Sequence, residues 1–143
     1  MEDERLQPPH AQLEQSLSQR VMALYLTQLG HQPSKVSCQL IDKMLTIIVE
    51  NPITQPERLL ADSGKQEFAE LVRFNIHKAF QPQLKALIEE VLKVSVIDLL
   101  GESQVPTGRT TVFAVLADTP KGDNPLSIPK VKQQRMSESG SDG

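Results

Sequence analysis

The residues best equipped for chemistry are few and scattered. His10, His31 and His77 lie far apart, and none has the spacing to a Cys, Asp or Glu partner that a zinc site uses. Exposed or capping histidines are the simpler reading. Cys38 is the only cysteine. It alternates with Val36 and Leu40 on what reads as the apolar face of a strand. A reactive thiolate needs an exposed, electropositive setting, so a buried structural thiol is expected. Glu89 and Glu90 form a tempting carboxylate pair, but neighbours on a helix point about 100° apart and cannot share one site. Gly64, Gly101 and Gly108 are isolated and the serines occupy no nucleophile elbow, so neither a phosphate-cradling loop nor a Ser hydrolase site is read. No catalytic, cofactor-binding or metal-ligating residue is expected, and the chain reads as non-enzymatic.

The basic residues offer more. Arg73, His77 and Lys85 are separated by four and then eight residues, with Lys65 and Lys78 flanking them. On a helix such steps drift slowly around the axis and make a loose basic ridge. Its functional reading is contact with an anion, an acidic partner or a membrane surface. Its simpler reading is a solvated face balanced by Glu67, Glu70 and Glu89. Lys130, Lys132 and Arg135 form a second basic cluster further on.

These residues need elements to hold them. Leu13, Leu17, Val21, Leu24 and Leu29 recur at steps of three to five, which predicts an amphipathic helix over 10–29, stopped by Gly30. Val36, Cys38 and Leu40 alternate with polar residues as in a strand with one wet face. The turn Asp42-Lys43 leads into the β-branched run from Met44 to Val49, completing a hairpin. Thr54 with Glu57 three residues later is a capping box and starts a short helix over about 55–61. After a break at Asp62-Ser63-Gly64, the helical period resumes and runs to Val91. Pro82 interrupts it, and the stripe continues almost in phase, so one long kinked helix is predicted. Val94 to Leu99 reads as a mostly buried third strand, Thr107-Gly108 as a turn, and Arg109 to Ala117 as the strongest strand.

The predicted order is helix, hairpin, helices, hairpin. That is an α+β fold with a four-stranded antiparallel sheet covered by helices. Residues 1–9 read as a flexible leader, 10–118 as one domain, and 119–143, rich in Pro, Gly and Ser, as a disordered tail.

Bulk properties narrow the function classes. The chain has 143 residues, enough for one cored domain. A net charge of −3 argues against a general nucleic-acid binder. One cysteine excludes a disulfide scaffold. The acidic start Met1-Glu2-Asp3-Glu4 is unlike a signal peptide, and the apolar runs fall far short of the ~20 residues that span a bilayer. The expected location is the cytoplasm, or the membrane periphery through a partner.

Several stretches together resemble one family. Gly30-His31-Gln32-Pro33-Ser34-Lys35-Val36 after an amphipathic helix is similar to its G-x-G-P-x-x-V element. Ile53-Thr54-Gln55-Pro56-Glu57 is similar to its Leu-Thr-x-x-Glu stretch. Leu71-Val72-Arg73, Pro82-Gln83-Leu84 and Ile88-Glu89-Glu90-Val91 resemble its long helix, and Val94 to Leu116 its closing hairpin. The family is MpsC, a proposed component of a sodium-translocating, membrane-potential-generating system. The chain departs from the pattern at Gln32 and Lys93, where glycine is common, and at Glu102-Ser103, where Asp is frequent. The resemblance brings no catalytic residue with it. It implies an accessory or regulatory domain, with an integral-membrane transporter subunit as partner. A homodimer is expected on separate grounds, because an open sheet leaves unpaired edges. A small-molecule or anion sensor built on Arg73, His77 and Lys85 is the alternative, and a nucleic-acid-binding module comes last.

Overall fold

A computed structural model of the protein describes residues 10–104 and 106–121. Helix α1 (Ala11–Leu29) comes first, then strands β1 (Lys35–Ile41) and β2 (Met44–Glu50). Helices α2 (Gln55–Asp62) and α3 (Gln66–Leu92) follow, and strands β3 (Val96–Gln104) and β4 (Arg109–Leu116) close the domain. This is the predicted α+β order. The four strands form one antiparallel sheet in the order β1-β2-β4-β3. Two local hairpins therefore lie side by side, with β2 against β4 at the seam.

Local chemistry explains the boundaries. Gly30 adopts a left-handed φ of 66° and its N–H caps the Leu26 carbonyl at 2.9 Å, ending α1. Both the Thr54 N–H and its hydroxyl donate to Glu57 Oε1, at 2.9 and 2.7 Å, anchoring the first turn of α2. Helix α3 runs unbroken for 27 residues through Pro82. Pro82 and Lys78 are both exposed, so the bond the proline deletes to the Lys78 carbonyl falls on the solvent side of the helix, where its loss is least costly.

α1 and α3 pack together on one face of the sheet. Between them and the strands lies an aliphatic core that includes Leu17, Val21, Leu45, Ile47, Val49, Ile88, Val112, Ala114 and Leu116. The Tyr25 and Phe80 rings meet at 4.7 Å between the helices, tilted by 57°. Alternation sends every second residue of β2 and β4 the other way. There Met44, Thr46, Ile48, Phe113 and Val115 meet no helix among the described residues.

The third strand corrects the sequence reading. It begins at Val96 rather than Val94, extends to Gln104, and is mostly exposed. The reason is its place at the sheet edge, where one side of the backbone and one face of side chains have no neighbour among the described residues. A register irregularity between Val96 and Asp98 also turns Ile97 out to solvent. At the other end of β4 the chain stays packed as far as Pro120: the Thr119 hydroxyl donates to Asp42 Oδ1 at 2.9 Å and Pro120 is buried. The leader over 1–9, the remainder of the tail and its basic cluster lie outside the described residues.

Candidate functional site

The strongest electrostatic feature is buried. Arg73, 2% exposed, and Glu57, fully buried, join α3 to α2. Arg73 Nε donates to Glu57 Oε2 at 2.7 Å, and Nη2 donates to Glu57 Oε1 at 2.6 Å and to the Pro52 carbonyl at 2.9 Å. The two-pronged geometry suits a guanidinium and a carboxylate. Burial alone would raise the Glu57 carboxyl, but the bonds from Arg73 and Thr54 outweigh it and hold the group below its ordinary value. Nearby, burial pushes the Tyr25 hydroxyl up to about 12, against the opposing pull of Arg73 and Thr110. Thr110, also buried, shares a 2.6 Å hydroxyl contact with Ser103. A line of polar groups thus runs from α2 beneath α3 to the edge strand.

Above this line α3 and β3 leave a groove of about 450 Å³. Arg73, Phe74, His77 and Glu70 form its helical wall, and Gly101 to Gln104 its strand wall. His77 lies against Gly101 so closely that a β-carbon there would stand 2.5 Å from Nε2. Glycine is therefore required for this approach of helix to strand. Burial, and then the charge of Arg73, lower the His77 pKa below 6.5, favouring the neutral ring.

The structure brings two of the three expected contact residues together. Arg73 and His77 share the groove, while Lys85 is exposed further along α3 and does not line it. Arg73 is not a free cation on a ridge, because Glu57 occupies its guanidinium. With Glu70 on the helical wall and the Arg73 charge already neutralised by Glu57, the groove suits an uncharged or cationic group better than an anion. Lys78 stands over the Phe74 ring at 5.5 Å. Sequence reasoning found Glu57 as a cap and Arg73 as a ridge residue, but not their pairing. The available signal was on one side only: Arg73 is a single charge within the apolar run Leu71-Val72-Arg73-Phe74, whereas Glu57 is followed by Arg58 and reads only as a cap.

The remaining candidates are structural. Cys38 is partly buried, and burial raises its thiol to about 11, which keeps it protonated and unreactive. Glu89 and Glu90 diverge, Glu89 accepting the Val96 N–H at 2.9 Å and Glu90 pairing with Arg20 at 2.9 Å. His31 Nε2 donates to the Asn51 carbonyl at 2.9 Å, and His10 sits at the start of α1. Among the described residues no group of three His, Cys, Asp or Glu could hold a metal ion.

Two apolar surfaces are left uncovered by the described residues. On the helical side, Leu59 of α2 and Phe68, Leu71 and Phe74 of α3 are each more than half exposed. The three α3 residues are spaced by three, which makes one ridge. On the sheet side, Ile41, Met44 and Leu100 are exposed.

The family model described as Na+-translocating membrane potential-generating system (MpsC) matches residues 10–118. Neither the curated proteins nor the solved structures yield a match.

Proposed function

Because the chain belongs to the MpsC family, we propose that it is a non-enzymatic accessory or regulatory subunit of a sodium-translocating, membrane-potential-generating system. It works by protein contact, as a cytoplasmic homodimer that meets an integral-membrane partner. The observation carrying this reading is the pair of uncovered apolar surfaces on opposite sides of one small domain. Such patches mark interaction sites, and two of them let one chain hold two partners. No described helix is long and apolar enough to cross a membrane, so in this reading the sodium pathway belongs to the partner. The helical ridge of Phe68, Leu71 and Phe74 is the surface assigned to that partner.

The test is affinity capture from native extract with membranes retained, using the full chain and a Phe68→Asp/Leu71→Asp variant. Both side chains are exposed, so the variant should fold. Recovery of an integral-membrane transporter by the parent chain and its loss with the variant is the expected result. A purely soluble partner set would sink the reading.

A second reading rests on the groove between α3 and β3, which has the volume of a small-molecule site. In that case the domain senses an uncharged or cationic ligand beside His77. A screen for thermal shifts that vanish in a His77→Ala variant distinguishes it from the first.

A further inference from the structure

We infer that the uncovered face of the sheet is the surface through which two copies of this chain associate, packed face to face about a two-fold axis parallel to the strands. The inference rests on the homodimeric reading above and names its surface and symmetry.

The face is built like an interface. Register pairs place Leu100 beside Phe113 and Phe113 beside Thr46, while Val115 neighbours Met44 and Met44 neighbours Ile41. Apart from Thr46, these residues form an apolar patch toward the Asp42-Lys43 end of the sheet. Around it stand charged and polar residues: Asp98 and Glu102 on β3, Gln104 and the Arg109–Glu50 ion pair at one end, and Lys35 on β1. An apolar core with a polar rim is the anatomy of a specific protein contact. Leu100 is 61% exposed and Met44 47% exposed, so neither is needed to fill the core.

The area is sufficient. Four strands about 4.8 Å apart and at least seven residues long make a face of about 19 by 24 Å. Two such faces cover about 900 Å² of flat footprint and more of corrugated accessible surface, which reaches the roughly 1,000 Å² of a specific interface.

Charge selects the occupant's orientation. The outward carboxylates Asp98 and Glu102 lie on one edge strand, and the outward base Lys35 lies on the opposite edge. A two-fold axis across the strands would stack β3 on β3 and bring four carboxylates together. An axis along the strands stacks β1 of one copy on β3 of the other, which sets Lys35 of each near Glu102 of its mate. A two-fold relation repeats this contact twice. The alternative of pairing two β3 edges in one continuous sheet again gathers Asp98 and Glu102 from both copies, and like charges on adjacent strands oppose it.

The experiment is sedimentation velocity on the full chain over a concentration series, with circular dichroism to verify folding of each variant. The parent chain should dimerise at micromolar concentration. Leu100→Asp/Met44→Asp should weaken the dimer by about a hundredfold or more. Lys35→Glu should weaken it less, and Lys35→Glu/Glu102→Lys should recover most of that loss. A dimer unaffected by Leu100→Asp/Met44→Asp overturns the sheet-face assignment and leaves the homodimer standing on another surface. A dimer that Leu100→Asp/Met44→Asp disrupts but the charge exchange fails to restore overturns the axis. A parent chain that is monomeric at tens of micromolar removes both the inference and the homodimeric reading (tens of micromolar being a level at which interfaces of this size are populated).

Discussion

The Arg73 guanidinium and the Glu57 carboxylate, sixteen residues apart in sequence, form a two-pronged ion pair with both partners buried. The pair ties the capping turn of α2 to the middle of α3, and its third bond reaches the Pro52 carbonyl in the preceding loop. Removing one member strands the other charge in the interior. Arg73→Met and Glu57→Gln should each destabilise the fold by about 3 kcal/mol or more. The double variant should cost clearly less than both single costs added together. Urea unfolding of the four proteins measures this, and additive costs would show that the pair does not act as a unit.

Acid should weaken the domain in two stages. His77 is held below 6.5 and Glu57 below 4.5 in the folded chain. For both groups the unfolded chain binds the proton first as pH falls, so protonation favours unfolding. Stability is therefore full near neutral pH, declines as pH drops below about 6.5 through His77, and falls further below about 4.5 through Glu57. Urea midpoints at pH 7.5, 5.5 and 4 follow the decline. His77→Gln should flatten the upper stage, and an unchanged slope there would remove His77 as its cause.

Gly101→Ala should eject the His77 ring from its seat, since the new carbon would lie 2.6 Å from Cε1 as well as close to Nε2. A loss of about 1 kcal/mol is expected, on the scale of a local overpacking. In a His77→Ala background the same change should cost markedly less. Histidine NMR reads the consequence directly: in Gly101→Ala the His77 titration should move up toward an ordinary value. No movement would mean the ring stays put.

Lys93 ends α3 with a φ of 61°, a left-handed conformation that burdens any residue with a β-carbon. Lys93→Gly should stabilise the chain by about 0.5–1 kcal/mol. Thermal unfolding checks it, and a lower melting temperature would contradict the cap assignment. The finding also explains why glycine suits this position: it closes a helix and does not open a strand. Gln32, the other departure from the glycine pattern, has no positive φ and carries no such burden.

The sequence showed most of the fold because the signals were local. The stripe from Leu13 to Leu29, the stop at Gly30, the Thr54–Glu57 cap and the Asp42-Lys43 turn each depend on residues a few positions apart. The misreading of β3 had a non-local cause. Its apolar run looks buried until the strand order places it at an edge, and nothing within Val96–Gln104 states that order. The candidate site was less legible for the same reason. Arg73 and His77 were visible as neighbours on one helix, but the carboxylate that neutralises Arg73 comes from another element. The groove required Gly101 to meet His77 across 24 residues of chain. Side-chain spacing predicts what shares a helix face and is silent on what packs against it.

The strand order β1-β2-β4-β3 also bears on how the sheet is assembled. β1 with β2 and β3 with β4 can each zip locally, but the β2–β4 seam must close a long loop, with Glu50 set opposite Arg109. Closing a loop of that length costs about 3–4 kcal/mol of chain entropy before the seam returns anything. Helices α2 and α3 both lie within the loop, so forming them shortens the span to be searched. The Arg109–Glu50 contact at 3.1 Å sits where that loop begins and ends. The order of events this implies is two hairpins and a helical crossover first, and the shared seam last.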